Sequence, residues 1–262
     1  MGPDDARLDA VARAVREARR VLFITGAGLS ADSGLPTYRG VGGLYDDADT
    51  DDGMPIEVAL SGRVFRERPD LTWRHIRDIE AAGRGARPNA GHRLMAALQD
   101  RADVWVLTQN VDGLHQAAGS RQVIAIHGGV HDLSCTACDW TDRVPDYRHL
   151  APVPHCRDCG AVVRPDIVLF GEMLPGPAIA ALERELVAGF DVVFSVGTSS
   201  LFPYITAPVR LLGERGATTV EVNPGRTEVS DQVTHRLQLG AADALGQLAE
   251  RLGLDAVSPE PG

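Results

Sequence analysis

Two hydrophobic periods alternate along this chain. Leu8, Val11, Ala12 and Val15 recur at steps of three and four among charged residues, which predicts an amphipathic helix over residues 5–20. VLFIT at 21–25 is apolar at almost every position, the pattern of a strand buried on both faces. Similar runs return as VWVLT at 104–108, VIAIH at 123–127, DIVLF at 166–170, VVFSV at 192–196 and TTVEV at 218–222. Helical spacing fills most of the intervals, at 92–101, 178–188, 205–215 and 242–252. Buried strands alternating with helices predict an α/β fold with a doubly wound, parallel, Rossmann-like sheet.

Two segments break the rhythm. Residues 36–88 carry no strand pattern and hold the acidic loop DDADTDDG at 46–53, and residues 131–164 are rich in Cys, Pro and Asp. Both read as insertions that together form a smaller module. The expected division is a sheet domain from residues 1–36, 89–130 and 165–254, a small domain from 37–88 and 131–164, and a tail at 255–262.

The second insertion holds all four cysteines, Cys135, Cys138, Cys156 and Cys159, in the spacing C-x2-C-x17-C-x2-C. Each C-x-x-C turn points two thiolates at one ion, and two turns close a tetrahedron with no position left for water or substrate. The expectation is one structural Zn2+ in a zinc-ribbon module. Reduced cysteines without metal are the plainer alternative, and His155, beside Cys156, is a competing ligand.

Composition narrows the function. The 262 residues suffice for a large core, 44% of them are apolar and 24% charged, and the formal charge is −10. An acidic surface argues against general binding to nucleic acid, which needs a basic stripe. No apolar run is long enough for a membrane span, and the acidic start MGPDDARLDA lacks a signal-peptide core, so a cytoplasmic protein is expected. All 26 basic residues are Arg, so the chain has no lysine of its own to be modified.

The candidate chemistry gathers where strands end. GAGLS at 26–30 follows the first strand and should open a helix, letting backbone approach a pyrophosphate at a helix N-terminus. On its own this signal is weak, since many α/β turns need such glycines merely to turn. TQNVDGLHQAAG at 108–119 follows the next strand and brings Gln109, Asn110 and Asp112 close together. His127 ends another run and is followed by Gly128 and Gly129, which would leave its imidazole open to a ligand as a general base.

These strings resemble the sirtuin family of NAD-dependent protein lysine deacylases, of bacterial type. The likeness runs from Val21 to about Leu245 through GAGLSADSGLPTYRG at 26–40, TQNVDGLH at 108–115, His127-Gly128, both cysteine pairs, RPDIVLFGEMLP at 164–175, VGTSS at 196–200 and VNPG at 222–225. It implies that NAD is consumed and that acyl-lysine proteins or peptides are the substrates, with nicotinamide and O-acyl-ADP-ribose released. It further implies that Gly26, Ala27, Gly28 and Ser30 cradle the phosphates and that Ala31 and Pro36 are also cofactor-binding. Thr37, Tyr38 and Arg39 would lie on a cofactor loop that orders over the ribose. Gln109, Asn110, Val111 and Asp112 would line the nicotinamide pocket beside His127. Gly197, Thr198 and Ser199 would contact phosphate and ribose, Asn223 the adenosine ribose and Ala241 the adenine edge. His127 would be the general base, and Asn110 and Asp112 would position NAD for nicotinamide cleavage. The peptide would lie extended beside Phe170, Gly171 and Glu172, with Val168 and Phe170 lining a tunnel for the acyl-lysine stem.

The chain departs from the family pattern at informative places. Tyr38 stands where Phe is usual and Leu35 where Ile is usual, both of similar size. Family members that prefer succinyl or malonyl lysine carry a Tyr-x-x-Arg pair, and alignment from Pro69 puts Ile76 and Ile79 there, which favours acetyl or longer fatty acyl groups. In SSLFPYIT at 199–206 the proline falls one place earlier than the family pattern has it, in the segment expected to flank the peptide. Three other readings share some of these features: a mono-ADP-ribosyltransferase using the same NAD site, a zinc-containing NAD dehydrogenase, and a non-enzymatic zinc-ribbon binding module. Oligomeric state is not legible.

Overall fold

The computed structural model describes residues 3–36, 50 and 53–254. In chain order the elements are α1 (Pro3–Glu17), β1 (Arg20–Thr25), α2 (Ala27–Ala31), α3 (Ile56–Ala59), α4 (Gly62–Glu67), α5 (Pro69–Gly83), α6 (Ala90–Leu98), β2 (Asp103–Thr108), α7 (Leu114–Ala117), β3 (Val123–Ala125), β4 (Gly128–Cys135), β5 (Thr141–Arg143), β6 (Val163–Ile167), α8 (Gly176–Ala188), β7 (Val192–Val196), α9 (Pro203–Glu214), β8 (Thr218–Val222), β9 (His235–Leu237) and α10 (Ala241–Arg251).

Six strands form one parallel sheet in the order β3-β2-β1-β7-β8-β9. The alternation of side chains along each strand divides them between two cores. Val21 and Phe23 of β1, with Val104, Val106, Phe194 and Val220, pack under α1, α6 and α10. Leu22 and Ile24, with Leu107, Ile124 and Val193, pack under α8 and α9. A strand covered on both faces has no solvated side, which is why these runs are continuously apolar. At the sheet's centre Phe23 and Phe194, paired in register, stack at 4.5 Å between ring centroids.

The second sheet is small and antiparallel, in the order β5-β4-β6, with a register shift between Gly129 and Leu133. It corrects one expectation. The DIVLF run does not join the parallel sheet: Val163–Ile167 pairs antiparallel with β4, and residues 168–170 leave the strand. The apolar period is the same in both settings, so it could not say which sheet the segment joins. β9 and β5 were also not legible, being three residues each and largely polar or exposed.

The small sheet shares a core with the helices of the first insertion. Leu60, Phe65, Trp73 and Ile76 pack against Val130, Leu133, Tyr147, Val163 and Leu169. Trp73 Nε1 donates to the Val163 carbonyl at 2.9 Å, the Tyr147 hydroxyl donates to the Val130 carbonyl, and Arg77 donates to the carbonyls of Tyr147, Leu150 and Pro152. These bonds satisfy polar groups that would otherwise be stranded beside the core. Among the described residues no helix is long and apolar enough to cross a membrane.

Beneath the end of β1, His92 and His115 lie sealed from solvent with ring centroids 4.8 Å apart. Burial pulls His92 down from 6.5 to about 4, helped by Arg93, and pulls His115 down to about 3, helped by His92. Both rings are therefore neutral in the folded chain at pH 7, whereas in the unfolded chain they titrate near 6.5. As pH falls from about 6.5 to about 4 the unfolded chain takes up as many as two protons that the folded chain refuses. Stability should drop by up to about 1.4 kcal/mol per pH unit for each proton. Urea unfolding at pH 7, 6 and 5 reads this loss, and His115→Gln should flatten it; an unchanged slope in that variant would remove the pair as its source.

Candidate active site

The C-terminal ends of β1, β2 and β7 converge on one cleft, as parallel sheets require of a ligand site at their switch point. Its floor is backbone against backbone. Gly26 donates to the Val196 carbonyl at 3.1 Å, and Gly28 to the Gly197 carbonyl at 2.8 Å. A Cβ on Gly26 would come within 2.8 Å of the Gly197 carbonyl oxygen, and one on Gly28 within 2.8 Å of the Gly197 Cα. Gly197 itself has a φ of 58°, in the left-handed region, and its own Cβ would run into the Leu29 amide. The glycines thus serve close approach of two loops, with their amides spent on that contact.

The cleft of about 780 Å³ is lined by Gly26, Ala27, Gly28, Ala31, Gln109, Asn110, Val111, His127, Val168, Phe170, Gly171, Glu172, Gly197, Thr198, Ser199, Asn223 and Ala241, all marked in the sequence. Ser30, Pro36 and Asp112 lie instead around a smaller recess that shares Ala27, Ile79, Asn110, Val111 and Val130 with the cleft. Thr37, Tyr38 and Arg39 lie outside the described residues. The cleft also takes in residues the sequence reading did not mark, among them Tyr204, Leu174 and Arg226. Their only signal was position: Tyr204 sits in the loop with the displaced proline, and Arg226 follows VNPG.

At the recess the polar groups are locked to one another. Asn110 Nδ2 donates to the Gly26 carbonyl at 3.0 Å and to Ser30 Oγ at 2.9 Å, and Ser30 Oγ donates to Asp112 at 2.6 Å. The Leu114 amide donates to the other Asp112 oxygen at 2.9 Å. Burial raises the Asp112 carboxyl above its ordinary range, and the Ser30 and Leu114 bonds only partly oppose this. Ser30 therefore faces inward to Asn110 and Asp112 rather than along the glycine floor.

Further out, Gln109 Nε2 donates to Thr198 Oγ1 at 2.8 Å, and Asn223 Nδ2 donates to the Thr198 carbonyl at 3.2 Å, so one threonine ties together the ends of three strands. His127 stands between β3 and β4 with Nδ1 3.0 Å from the Gln109 carbonyl and Nε2 2.8 Å from the Tyr204 hydroxyl. Burial lowers its pKa, with the Gln109 bond opposing, so the ring is neutral at pH 7. A carbonyl only accepts, so the ring proton sits on Nδ1 and Nε2 carries the lone pair.

On the opposite wall the backbone of residues 168–170 runs between two neighbours. Val168 donates to the His127 carbonyl at 3.0 Å, Phe170 to the Leu60 carbonyl at 3.0 Å, and Gly62 to the Phe170 carbonyl at 3.0 Å. Ile76 and Ile79 also line this wall, whereas Arg77 is turned away onto carbonyls of the small module. Glu172 is held by Arg164 through two bonds of 2.7 and 2.8 Å and accepts from the Leu169 amide at 2.9 Å. Burial pulls its carboxyl upward, but these bonds outweigh it and leave the pKa below the usual value. Its carboxylate is thus occupied in shaping the turn.

Residues 26–202, more than half the chain, match the family model described as the Sir2 family. The chain belongs to the Sir2 family. It is similar to NAD-dependent protein deacylase 2 of Pseudomonas aeruginosa, with 48% identity over 246 residues, 92% of this chain and 96% of that protein. Among solved structures it resembles a Sir2 homolog–NAD complex, at a TM-score of 0.84 and 30% identity, covering 95% of this chain and 94% of that one. It also resembles a Sir2 variant with deacetylated p53 peptide and 3′-O-acetyl ADP-ribose, at a TM-score of 0.82 and 28% identity, covering 96% of this chain and 99% of that one.

Away from the cleft, Cys135, Cys138, Cys156 and Cys159 bring their four sulfurs within 4.8 Å of one another, with Cys135–Cys159 at 3.4 Å and Cys138–Cys156 at 3.6 Å. Four thiolates at such separations fit a tetrahedral Zn2+ with ordinary Zn–S lengths. His155 is not among the ligands: its Nδ1 faces the Gly160 carbonyl at 2.9 Å. With every ligand from the chain, the ion is structural.

Two measurements follow. Elemental analysis should find one zinc per chain, and its removal by a strong chelator should lower the melting temperature and expose Trp73 to quenchers; a metal-free protein of undiminished stability would refute the site. Gly197→Ala should cost about 1–2 kcal/mol for its backbone conformation and roughly 1–3 more for the clash with α2. Gly253→Ala, whose φ is also positive at 61° but whose Cβ would meet nothing, should cost only the first part. Equal losses in denaturant melts would mean that the loop contact is not tight.

Proposed function

We propose that this protein is an NAD-dependent protein lysine deacylase acting chiefly on acetyl-lysine. The observation that carries the reading is the neutral imidazole of His127, which lines the same cleft as the Gly26–Gly28 floor and Asn110 and has its proton-accepting nitrogen against the Tyr204 hydroxyl. Its relatives' names and the ligands in its structural neighbours support the same chemistry. The NAD site runs along residues 26–31, 197–199 and 223, with Ala241 at its adenine end. When bound, NAD supplies an electrophilic ribose carbon, nicotinamide as leaving group and a hydroxyl to receive the acyl group, so the products are nicotinamide, free lysine and O-acyl-ADP-ribose.

The chain's own groups divide the work. Asp112, in the recess, would hold the nicotinamide carboxamide, and the Ser30 and Leu114 bonds fix the angle of its carboxyl. Asn110 commits its amide nitrogen inward, which leaves Oδ1 to orient the ribose and a water. His127, neutral with its lone pair on Nε2, would accept a proton from the ribose. Preorganised groups of this kind lower the barrier because they need not rearrange as charge develops. The peptide lies extended along residues 168–172 and the segment after Ser199, adding as a strand.

Val168, Phe170, Ile76 and Ile79 form the wall toward which the acyl group points. Among the described residues no guanidinium stands on this wall in place of the Tyr-x-x-Arg pair, and a carboxylate there would be buried without a partner. We assign the parallel sheet and its covering helices to the larger domain and the two inserted segments to the small module, with the cleft lined from both. We place the activity in the cytoplasm, a reading supported by two C-x-x-C pairs that gather as a metal site rather than as a disulfide framework.

The test incubates the protein and NAD with peptides bearing acetyl, butyryl, myristoyl or succinyl lysine. Nicotinamide and deacylated peptide should form in equal amounts, with acetyl-lysine turned over at least about tenfold faster than succinyl-lysine, the equivalent of about 1.4 kcal/mol. His127→Ala should lose about a hundredfold or more in deacylation while NAD affinity stays within about threefold. Undiminished turnover in that variant, or transfer of ADP-ribose to an acceptor protein without deacylation, would defeat the proposal.

A further inference from the structure

The lone pair with which His127 would accept a proton is already engaged. Its Nδ1 carries the ring proton toward the Gln109 carbonyl, so Nε2 accepts, and the group 2.8 Å from it is the hydroxyl of Tyr204. That hydroxyl is the donor: burial raises its pKa to about 12, which keeps it protonated at neutral pH. Tyr204 lies in the first turn of α9, half-buried, its ring stacked on Phe202 at 5.4 Å and edge-on to His127 at 5.9 Å. Both His127 and Tyr204 line the cleft.

A hydroxyl that donates once still has acceptor capacity, and among the described residues no second hydrogen bond is made to the Tyr204 oxygen. A proton leaving a sugar hydroxyl therefore has two routes to His127. Either Tyr204 first lets go, giving up its hydrogen bond and its packing on Phe202, or the proton travels through it.

We propose that Tyr204 is the proton relay between the ribose and His127. This rests on the deacylase reading above. Tyr204 Oη accepts the proton of a ribose hydroxyl while its own proton passes to Nε2. One O–H bond breaks at the sugar and one re-forms at Tyr204, a second O–H bond breaks at Tyr204, and one N–H bond forms at His127. The sugar oxygen gains the negative charge, the imidazole the positive charge, and the tyrosine ends as it began. Sequence reading did not single out Tyr204.

Tyr204→Phe keeps the ring and its stack and removes only the hydroxyl. In the ligand-free protein at neutral pH, 15N spectra of His127 should show the proton on Nδ1 in both forms, with the Nε2 resonance displaced in the variant. A proton on Nε2, or an Nε2 resonance that does not move, overturns the hydrogen-bond assignment and the relay with it. In turnover, deacylation by Tyr204→Phe should fall by about tenfold to a hundredfold. NAD affinity and exchange of labelled nicotinamide into NAD, which precede the proton transfer, should stay within about threefold. Deacylation at the wild-type rate or faster would show that Tyr204 merely occupies the lone pair, and an equal fall in exchange would show that it only shapes the site; either overturns the relay. Wild-type protein that releases no nicotinamide defeats the underlying reading instead, and the nitrogen spectra still decide the hydrogen bond.

Discussion

The site depends first on how closely two backbone turns approach. The turn after β1 and the turn after β7 meet at Gly26, Gly28 and Gly197, where even one methyl group would collide with main chain. That contact sets the depth of the cleft, fixes where α2 begins and places Thr198 where Gln109 and Asn223 can both reach it. Amides pointed across this contact are used up in it, so the glycines supply shape before they supply donors.

From that floor a chain of hydrogen bonds runs in two directions. Inward it joins Gly26, Asn110, Ser30 and Asp112, each polar group answering the next in a place where water is scarce. Outward it joins the Gln109 carbonyl, His127 and Tyr204. Burial has opposite consequences for the two ends, since removal from water penalises whichever form is charged. It raises the Asp112 carboxyl and lowers the His127 imidazole, so the cleft holds a neutral base and the adjoining recess a reluctant carboxylate.

The wall facing this chain belongs to the small module, whose core joins helices from residues 56–83 with strands from 128–167. Each segment covers apolar side chains of the other, and the cysteine cluster ties the far end of the sheet. The backbone bridges from Leu60 and Gly62 to Phe170 then carry that core to the cleft, linking a metal-braced scaffold to the residues beside the acyl group.

The sequence by itself determined the alternation of buried strands and helices, the four cysteine ligands, and the segments that end at the cleft. Each of these is written in local period or spacing: short continuous apolar runs between turn signals are the pattern of strands covered on both faces, and paired C-x-x-C turns need no distant information to form. Tertiary structure alone decided which sheet the run near Ile167 would join, because an apolar strand has the same signature in either. It also decided that Ser30 and Glu172 would face Asp112 and Arg164, and that Tyr204 would meet His127 across 77 positions of chain. Such pairings rest on a hydrogen bond between side chains brought together by packing, and no local pattern of residues encodes where a distant partner will arrive.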